Sequence, residues 1–372
     1  MRIFKKKKIL IVVGSFKIGG AERMSINVGE KLRSNGWEVH YALQRPLIEI
    51  PNEIPHNFIH FLNKSTSKHK ALVHLNSIIQ VFFLRMRLLP GCVMAFTYYS
   101  SFIACFTFSR NVIGRFDINP YIINRKLRHR VATFVSKWPW VQRIIVPSHG
   151  IGGELRRVNN HFKKKIQVIP NSIDIENVSK MSSDKVNMEI KVRANYIVGM
   201  GRLTHQKNYH LLLKAYSQSF IKEKYDLVII GDGTFKEDLK QLAIDLGIEK
   251  QVQFTGFLSN PFPVIKASRF FVNTSNFESF CNVILESLAL GVPVIATDCP
   301  YGPSEIIVDN KSGLLINTED EPQLINLLDE IYQNESKIDK LKEGTSSSVE
   351  KFKLSHISKM WVKLVQSYLY KS

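Results

Sequence analysis

Two glutamates, Glu278 and Glu286, stand in the segment S-N-F-E-S-F-C-N-V-I-L-E-S-L-A-L-G with seven residues between them. Glu286 falls in a stretch whose other members (Val283, Ile284, Leu285, Leu288, Ala289, Leu290) make a helix apolar nearly all round. Its carboxylate is therefore expected to be partly buried, which is costly unless hydrogen-bond donors meet it. The vicinal hydroxyls of a sugar ring or ribose are such donors; a nearby backbone group or arginine is the competing partner. Glu278, placed at a strand end before the helix, could accept from another hydroxyl pair.

Upstream, G-R-L-T-H-Q-K-N (201–208) sets Arg202 and Lys207 just past the carboxyl end of an apolar run. A guanidinium fork and an ammonium so placed can hold a diphosphate and neutralise it as it departs. Near the N-terminus, G-S-F-K-I-G-G-A-E-R (14–23) follows KILIVV. Adjacent glycines opening a helix let backbone N–H groups approach an anion. The loop is not G-x-G-x-x-G and lacks the Lys-Ser/Thr ending of a P-loop, and standing alone it reads equally as a tight strand-to-helix turn.

These residues need elements to hold them, and the pattern supplies an alternation. KILIVV has the continuous apolar character of a strand buried on both faces. Ala21, Met24, Val28 and Leu32 recur at helical spacing up to Gly36, and WEVHYAL returns to strand character. Residues 45–80 are less regular. RIIVPSHGI (143–151) and KIQVIPNSID (165–174) read as further strands. Beyond them YIVGMGRL, DLVIIGDG, VQFTGF, FFVNTSNF and VPVIATDCP are strands separated by helices, and an apolar stripe of Ile357, Met360, Trp361, Leu364 and Val365 marks a last helix. The fold class expected is α/β, with two doubly wound parallel-sheet domains. Their expected bounds are 1–172 and 173–350, with 351–372 as a helix packing back towards the first domain.

The 372 residues carry a net charge of +19, distributed unevenly. Residues 1–172 hold 28 Lys+Arg against 7 Asp+Glu, whereas 173–372 are close to neutral. The first domain is therefore expected to face something anionic. Cys92, Cys105, Cys281 and Cys299 form no CxxC pair and suit no zinc spacing, so a reducing compartment is expected. The basic run Lys5–Lys8 before KILIVV imitates a signal peptide, but the glycine loop that follows favours a first strand. Residues 88–109 lack charge yet contain Pro90, Gly91 and a polar TYYSS centre, and read as strand, turn and helix rather than a span.

Taken together, the motifs resemble glycosyltransferase family 4, the retaining glycosyltransferases of the GT-B fold. GGAER (19–23) resembles its N-terminal glycine loop, IPNSID (169–174) its interdomain Pro-Asn turn, and GRLTHQKN its diphosphate motif. The glutamates match its Glu pair and TDCPYGPSEII (297–307) the segment after it. The resemblance implies two Rossmann-like domains facing each other across a cleft. It also implies roles: Gly19 and Gly20 against the donor, Arg202 and Lys207 on its diphosphate, and Phe257 and Leu258 bordering the base. Glu278 would touch the transferred sugar and Glu286 the ribose, while Ser279, Phe280 and Cys281 would present backbone N–H groups. Ser279 stands where glycine is usual and Cys281 where glycine or proline is usual. Many relatives carry a histidine in the first domain. The matching stretch V-I-G-R-F-D-I-N-P-Y (112–121) has none, leaving Arg115, Asp117 or His149 as replacements.

The expected function is transfer of a hexose or N-acetylhexosamine from a UDP-sugar to a saccharide acceptor, lipid-diphosphate-linked, in cell-surface polysaccharide synthesis. No cofactor or metal is expected, and the partners expected are the nucleotide-sugar, a polyprenyl-diphosphate-linked glycan and an anionic membrane surface at the cytoplasmic face. Nucleic acid is not expected, for want of interleaved aromatic and basic residues. A sugar-nucleotide epimerase of similar shape, or a non-catalytic basic membrane- or nucleic-acid-binding protein, are the competing readings.

Overall fold

The computed structural model describes residues 8–17, 19–50, 52–63, 70–121, 126–185, 193 and 195–369. The chain divides into two compact units: residues 1–172 with 355–372, and residues 173–354. Lys5–Lys7 lie outside the described residues.

The first unit is built on seven parallel strands: β1 (Lys8–Val13), β2 (Glu38–Leu43), β3 (Ile59–Phe61), β4 (Cys92–Phe96), β5 (Val112–Arg115), β6 (Val141–Val146) and β7 (Ile166–Val168). They lie in the order β3-β2-β1-β4-β5-β6-β7, so the winding reverses between β1 and β4. β1 and β4 are buried almost throughout, which is why their sequences run apolar without alternation. The helix Gly20–Ser34 lays Met24, Val28 and Leu32 on the sheet and ends ahead of Gly36, whose φ of 85° a side chain would resist. Residues 88–109 resolve into β4 and the helix Tyr98–Cys105. The polar centre is tolerated because Ser101 Oγ donates to the Thr97 carbonyl at 2.8 Å and Ser100 takes a hydrogen bond from Gln44 at 2.9 Å.

The irregular stretch 45–80 holds β3 and the start of a helix, Lys70–Leu88. This helix is apolar on two opposite faces. Val73, Val81, Leu84 and Leu88 are buried, whereas Leu72, Leu75, Ile79, Phe83 and Met86 are exposed. Among the described residues no helix is long and apolar enough to cross a membrane.

The second unit has six parallel strands: β8 (Tyr196–Met200), β9 (Asp226–Ile230), β10 (Val252–Gly256), β11 (Phe271–Asn273), β12 (Val294–Thr297) and β13 (Gly313–Ile316). Their order is β10-β9-β8-β11-β12-β13, and the winding reverses between β8 and β11. Apolar clusters fill both faces, one around Leu212, Ile229 and Leu328 and the other around Val198, Phe271 and Leu288.

The chain passes between units twice. Ile173 N donates to the Phe352 carbonyl and Leu354 N to the Ile173 carbonyl, both at 2.9 Å, so the two passages lie side by side. The helix Leu354–Leu369 then returns to the first unit, where Trp361, Leu364 and Val365 join the cluster of Ile9, Ile11 and Phe96. Trp361 stacks on Phe96 at 5.5 Å and is 1% exposed.

Candidate active site

In open parallel sheets, ligands bind beyond the carboxyl ends of the strands where the winding reverses. In the second unit that place is flanked by the loop after β8, which carries Arg202 and Lys207, and the loop after β11, which carries Glu278. The two loops are laced together by polar groups. Asn276 N donates to the Gln206 carbonyl at 2.8 Å, Thr274 Oγ1 to the Lys207 carbonyl at 3.1 Å, and Asn208 Nδ2 to Asn276 Oδ1 at 2.9 Å.

At the centre of this lacing, Lys207 Nζ lies 2.6 Å from Glu278 Oε1, with side chains 13% and 9% exposed. Ser275 Oγ donates to the same oxygen at 2.8 Å, and Gln206 Nε2 reaches Oε2 at 3.5 Å. Burial alone would lower the lysine pKa, but the Glu278 carboxylate outweighs it and holds the ammonium well above the ordinary lysine value. Gly201 makes room for this lysine: its φ is 158°, and a Cβ there would stand 2.7 Å from Lys207 Cε. Arg202, on the same loop, is exposed.

Behind the pair, Asn273 Oδ1 lies 3.1 Å from Ser275 Oγ as the longer of two acceptors for its one proton, and the buried Asn273 Nδ2 has no hydrogen-bond partner among the described residues. Cys281 caps the helix Asn282–Ala289 in the left-handed region, at φ 70° and ψ 68°. A side chain there carries a strain of about 1–2 kcal/mol, which glycine would avoid. The Cys281 thiol is buried, and burial followed by the Glu278 charge pushes its pKa well up. Phe280 is buried edge-on to Phe352 at 5.3 Å, Ser279 is half-buried, and Glu286 is half-buried on the following helix. Phe257 is 61% exposed just after β10, next to a half-buried Leu258.

Thus the structure joins Lys207, Glu278 and Cys281 in one buried cluster and leaves Arg202 and Phe257 at the surface of the same sheet edge. Ser275, Gln206 and Asn273 belong to the cluster too, and sequence reasoning passed over them. Their signal was position alone: Gln206 directly precedes Lys207, and Ser275 and Asn273 stand three and five residues before Glu278.

In the first unit, Gly19 and Gly20 open the helix after β1, at the reversal between β1 and β4. A Cβ on Gly19 would overlap the Glu22 carboxylate, which folds back over it and whose pKa burial raises. Arg115 is 1% exposed and ties three segments together. Its Nε donates to Asp117 Oδ1 at 2.6 Å, its Nη1 to the Ile169 carbonyl at 3.4 Å and its Nη2 to Asn171 Oδ1, while Trp361 lies 5.8 Å from the guanidinium. Asp117 is half-buried, and His149 is exposed at the start of the helix His149–Val158.

Two parallel-sheet Rossmann-like units, each with its motif residues at the winding reversal, define the GT-B architecture. The comparisons with known proteins agree. The model for glycosyl transferases group 1 matches residues 182–347, and that for Glycosyltransferase Family 4 matches residues 18–177. The chain belongs to the family 4 glycosyltransferases of the GT-B fold. It is 28% identical over 346 residues to the N-acetylgalactosamine-N,N'-diacetylbacillosaminyl-diphospho-undecaprenol 4-alpha-N-acetylgalactosaminyltransferase of Campylobacter jejuni, covering 88% of this chain and 91% of that one. Among solved structures, HepE of Anabaena in complex with UDP superposes with a TM-score of 0.79 at 20% identity, covering 97% of this chain and 100% of that one. Sucrose-phosphate synthase of Thermosynechococcus elongatus superposes at 0.81 with 17% identity, covering 98% and 100%.

Proposed function

We propose that this glycosyltransferase moves a hexose or N-acetylhexosamine from a UDP-sugar to a saccharide acceptor carried on a lipid diphosphate, with retention at the anomeric carbon. The observation that carries the reading is the buried Lys207–Glu278 pair at the reversal of the second sheet. An ammonium held protonated and fixed beside a carboxylate suits a donor with a diphosphate at one end and sugar hydroxyls at the other. In this reading Lys207 and Arg202 neutralise the departing diphosphate, so no metal is needed for that task. Glu278 accepts from the transferred sugar and Glu286 from the ribose. The buried Asn273 Nδ2 is a donor in reserve beside the pair.

The bond from the anomeric carbon to the diphosphate oxygen breaks, and the acceptor hydroxyl oxygen bonds that carbon on the same face. The hydroxyl proton passes to the leaving diphosphate. In this reading no carboxylate serves as a nucleophile, and the rate rests on positioning and on stabilising the leaving group. The acceptor reading draws support from the undecaprenol-linked substrate in the name of the Campylobacter relative, and the UDP reading from the Anabaena complex. Such an acceptor places the enzyme at the cytoplasmic face of a membrane, in cell-surface glycan synthesis.

The test is a panel of nucleotide-sugars offered with polyprenyl-diphosphate-linked acceptors, with and without EDTA, and product NMR. A lengthened glycan with the donor's anomeric configuration is expected from a UDP-sugar, undiminished by EDTA. An altered nucleotide-sugar in place of a lengthened glycan would refute the reading.

A further inference from the structure

The helix Lys70–Leu88 keeps one apolar face for the core and turns a second to solvent. Leu72, Leu75, Ile79, Phe83 and Met86 recur at helical spacing along that second face, and each is 46–62% exposed. Single exposed apolar residues are ordinary, but a continuous row of five large ones on one helix marks a binding surface. The row continues past the helix end, through Leu89 at 63% exposure and Phe108 at 44%. Phe108 in turn lies 6.0 Å from Phe82 and 5.5 Å from Trp140.

Charge decides what covers this face. The helix contains Lys70, Arg85 and Arg87 and no carboxylate, within a stretch of 172 residues holding 28 Lys+Arg and 7 Asp+Glu. Two copies meeting through this face would bring like charges together. A bilayer with anionic headgroups complements it: the acyl boundary receives the row, and the headgroups meet the basic rim. An aromatic group with an indole beside the row suits the same depth. No described helix is long and apolar enough to span, so the helix lies in the plane of the interface.

We propose that the exposed face of Lys70–Leu88 is the surface by which this protein sits on an anionic membrane. The inference deepens the membrane partner of the proposed function, yet it stands on the helix surface and not on the identity of the sugar or acceptor.

The test uses the full chain with vesicles of phosphatidylglycerol and phosphatidylcholine, and of phosphatidylcholine alone, in a sedimentation assay. Wild type is expected to sediment with the anionic vesicles, less so as salt rises. Ile79→Gln with Phe83→Gln should weaken that binding at least tenfold at every salt concentration, with an unchanged circular dichroism spectrum. A second variant, Phe83→Trp, keeps the face apolar and should show a blue-shifted emission on adding anionic vesicles. Sugar transfer to a lipid-free acceptor should be the same in wild type and the glutamine variant, which separates failure of docking from failure of the enzymatic reading. Wild type left in the supernatant at low salt would overturn the proposal. So would undiminished binding by the glutamine variant, or a wild-type dimer that this variant splits.

Discussion

The Lys207–Glu278 pair offers the sharpest test of the site, because its two members are buried together. Replacing Lys207 by methionine keeps an unbranched apolar stem, one atom shorter, and removes the ammonium. The Glu278 carboxylate, 9% exposed, is left with Ser275 at 2.8 Å and Gln206 at 3.5 Å. Breaking a buried pair on one side costs about 3–5 kcal/mol. The surviving hydrogen bond from Ser275 to a charged group recovers part of this, so about 3 kcal/mol is expected for K207M. E278Q costs less, about 1–2 kcal/mol, because the flexible lysine stem can carry its charge towards solvent. The double variant removes both charges and should cost at least about 1.5 kcal/mol less than the sum of the singles. Urea unfolding followed by circular dichroism gives these values. Because the pair raises the lysine pKa, its contribution is complete below the unfolded value of about 10.4 and is lost only as pH rises through the higher folded value. The coupling should therefore be the same at pH 7 and pH 9. Turnover of the folded K207M protein should fall by about 100- to 1000-fold, the range for losing one group that stabilises a leaving anion. Additive stabilities to within about 0.3 kcal/mol, or near-normal turnover, would refute the reasoning.

Two further outcomes are expected. Arg115→Met strips the donor from Asp117, Ile169 and Asn171 at once; a loss of about 3 kcal/mol and a fall in melting temperature of roughly 6–12 °C should follow. Turnover per folded molecule should stay within about threefold, so a large loss of turnover without loss of melting temperature would make Arg115 a catalytic group. His60 is held neutral, with its pKa lowered to about 4 by burial, and then by His40 and Arg87. A depressed histidine stabilises fully above its unfolded pKa and loses that contribution as pH falls to the folded one, so the window here is from about pH 6.5 to about 4. Discounted for its partial exposure, the loss is about 1 kcal/mol, and His60→Gln should flatten the pH dependence of urea midpoints across that window.

The alternation of strands and helices was legible wherever elements obey one period. β1 and the helix after it, and β8, β9 and β12 of the second unit, announce themselves by buried apolar runs with glycine or proline beside them. The helix Lys70–Leu88 did not, and the reason is physical: residues apolar on both its inner and outer faces erase the periodicity that marks a helix packed on one side. The motif residues of the site were legible by type and spacing, but their company was not. Nothing in the letters says that Ser275 and Gln206 close round Glu278, since that depends on which strands neighbour one another. Arg115 is the opposite case. Its chemistry drew attention as a replacement for a histidine, yet its side chain is consumed by contacts to Asp117, Asn171 and Trp361. A charge in a sequence is indistinguishable from a reactive group until its partners are counted.

The double passage of the chain between its units has a consequence for how the protein is made. Synthesis delivers residues 1–172 first, but the core of that unit includes Trp361, Leu364 and Val365, which emerge almost two hundred residues later. The second unit is contiguous and can close its own cores as soon as residue 354 has left the ribosome. The unit made first is therefore the unit finished last. Until the final helix arrives, Ile9, Ile11 and Phe96 present an unsealed apolar surface in the nascent chain, the stage at which a chaperone would be needed most.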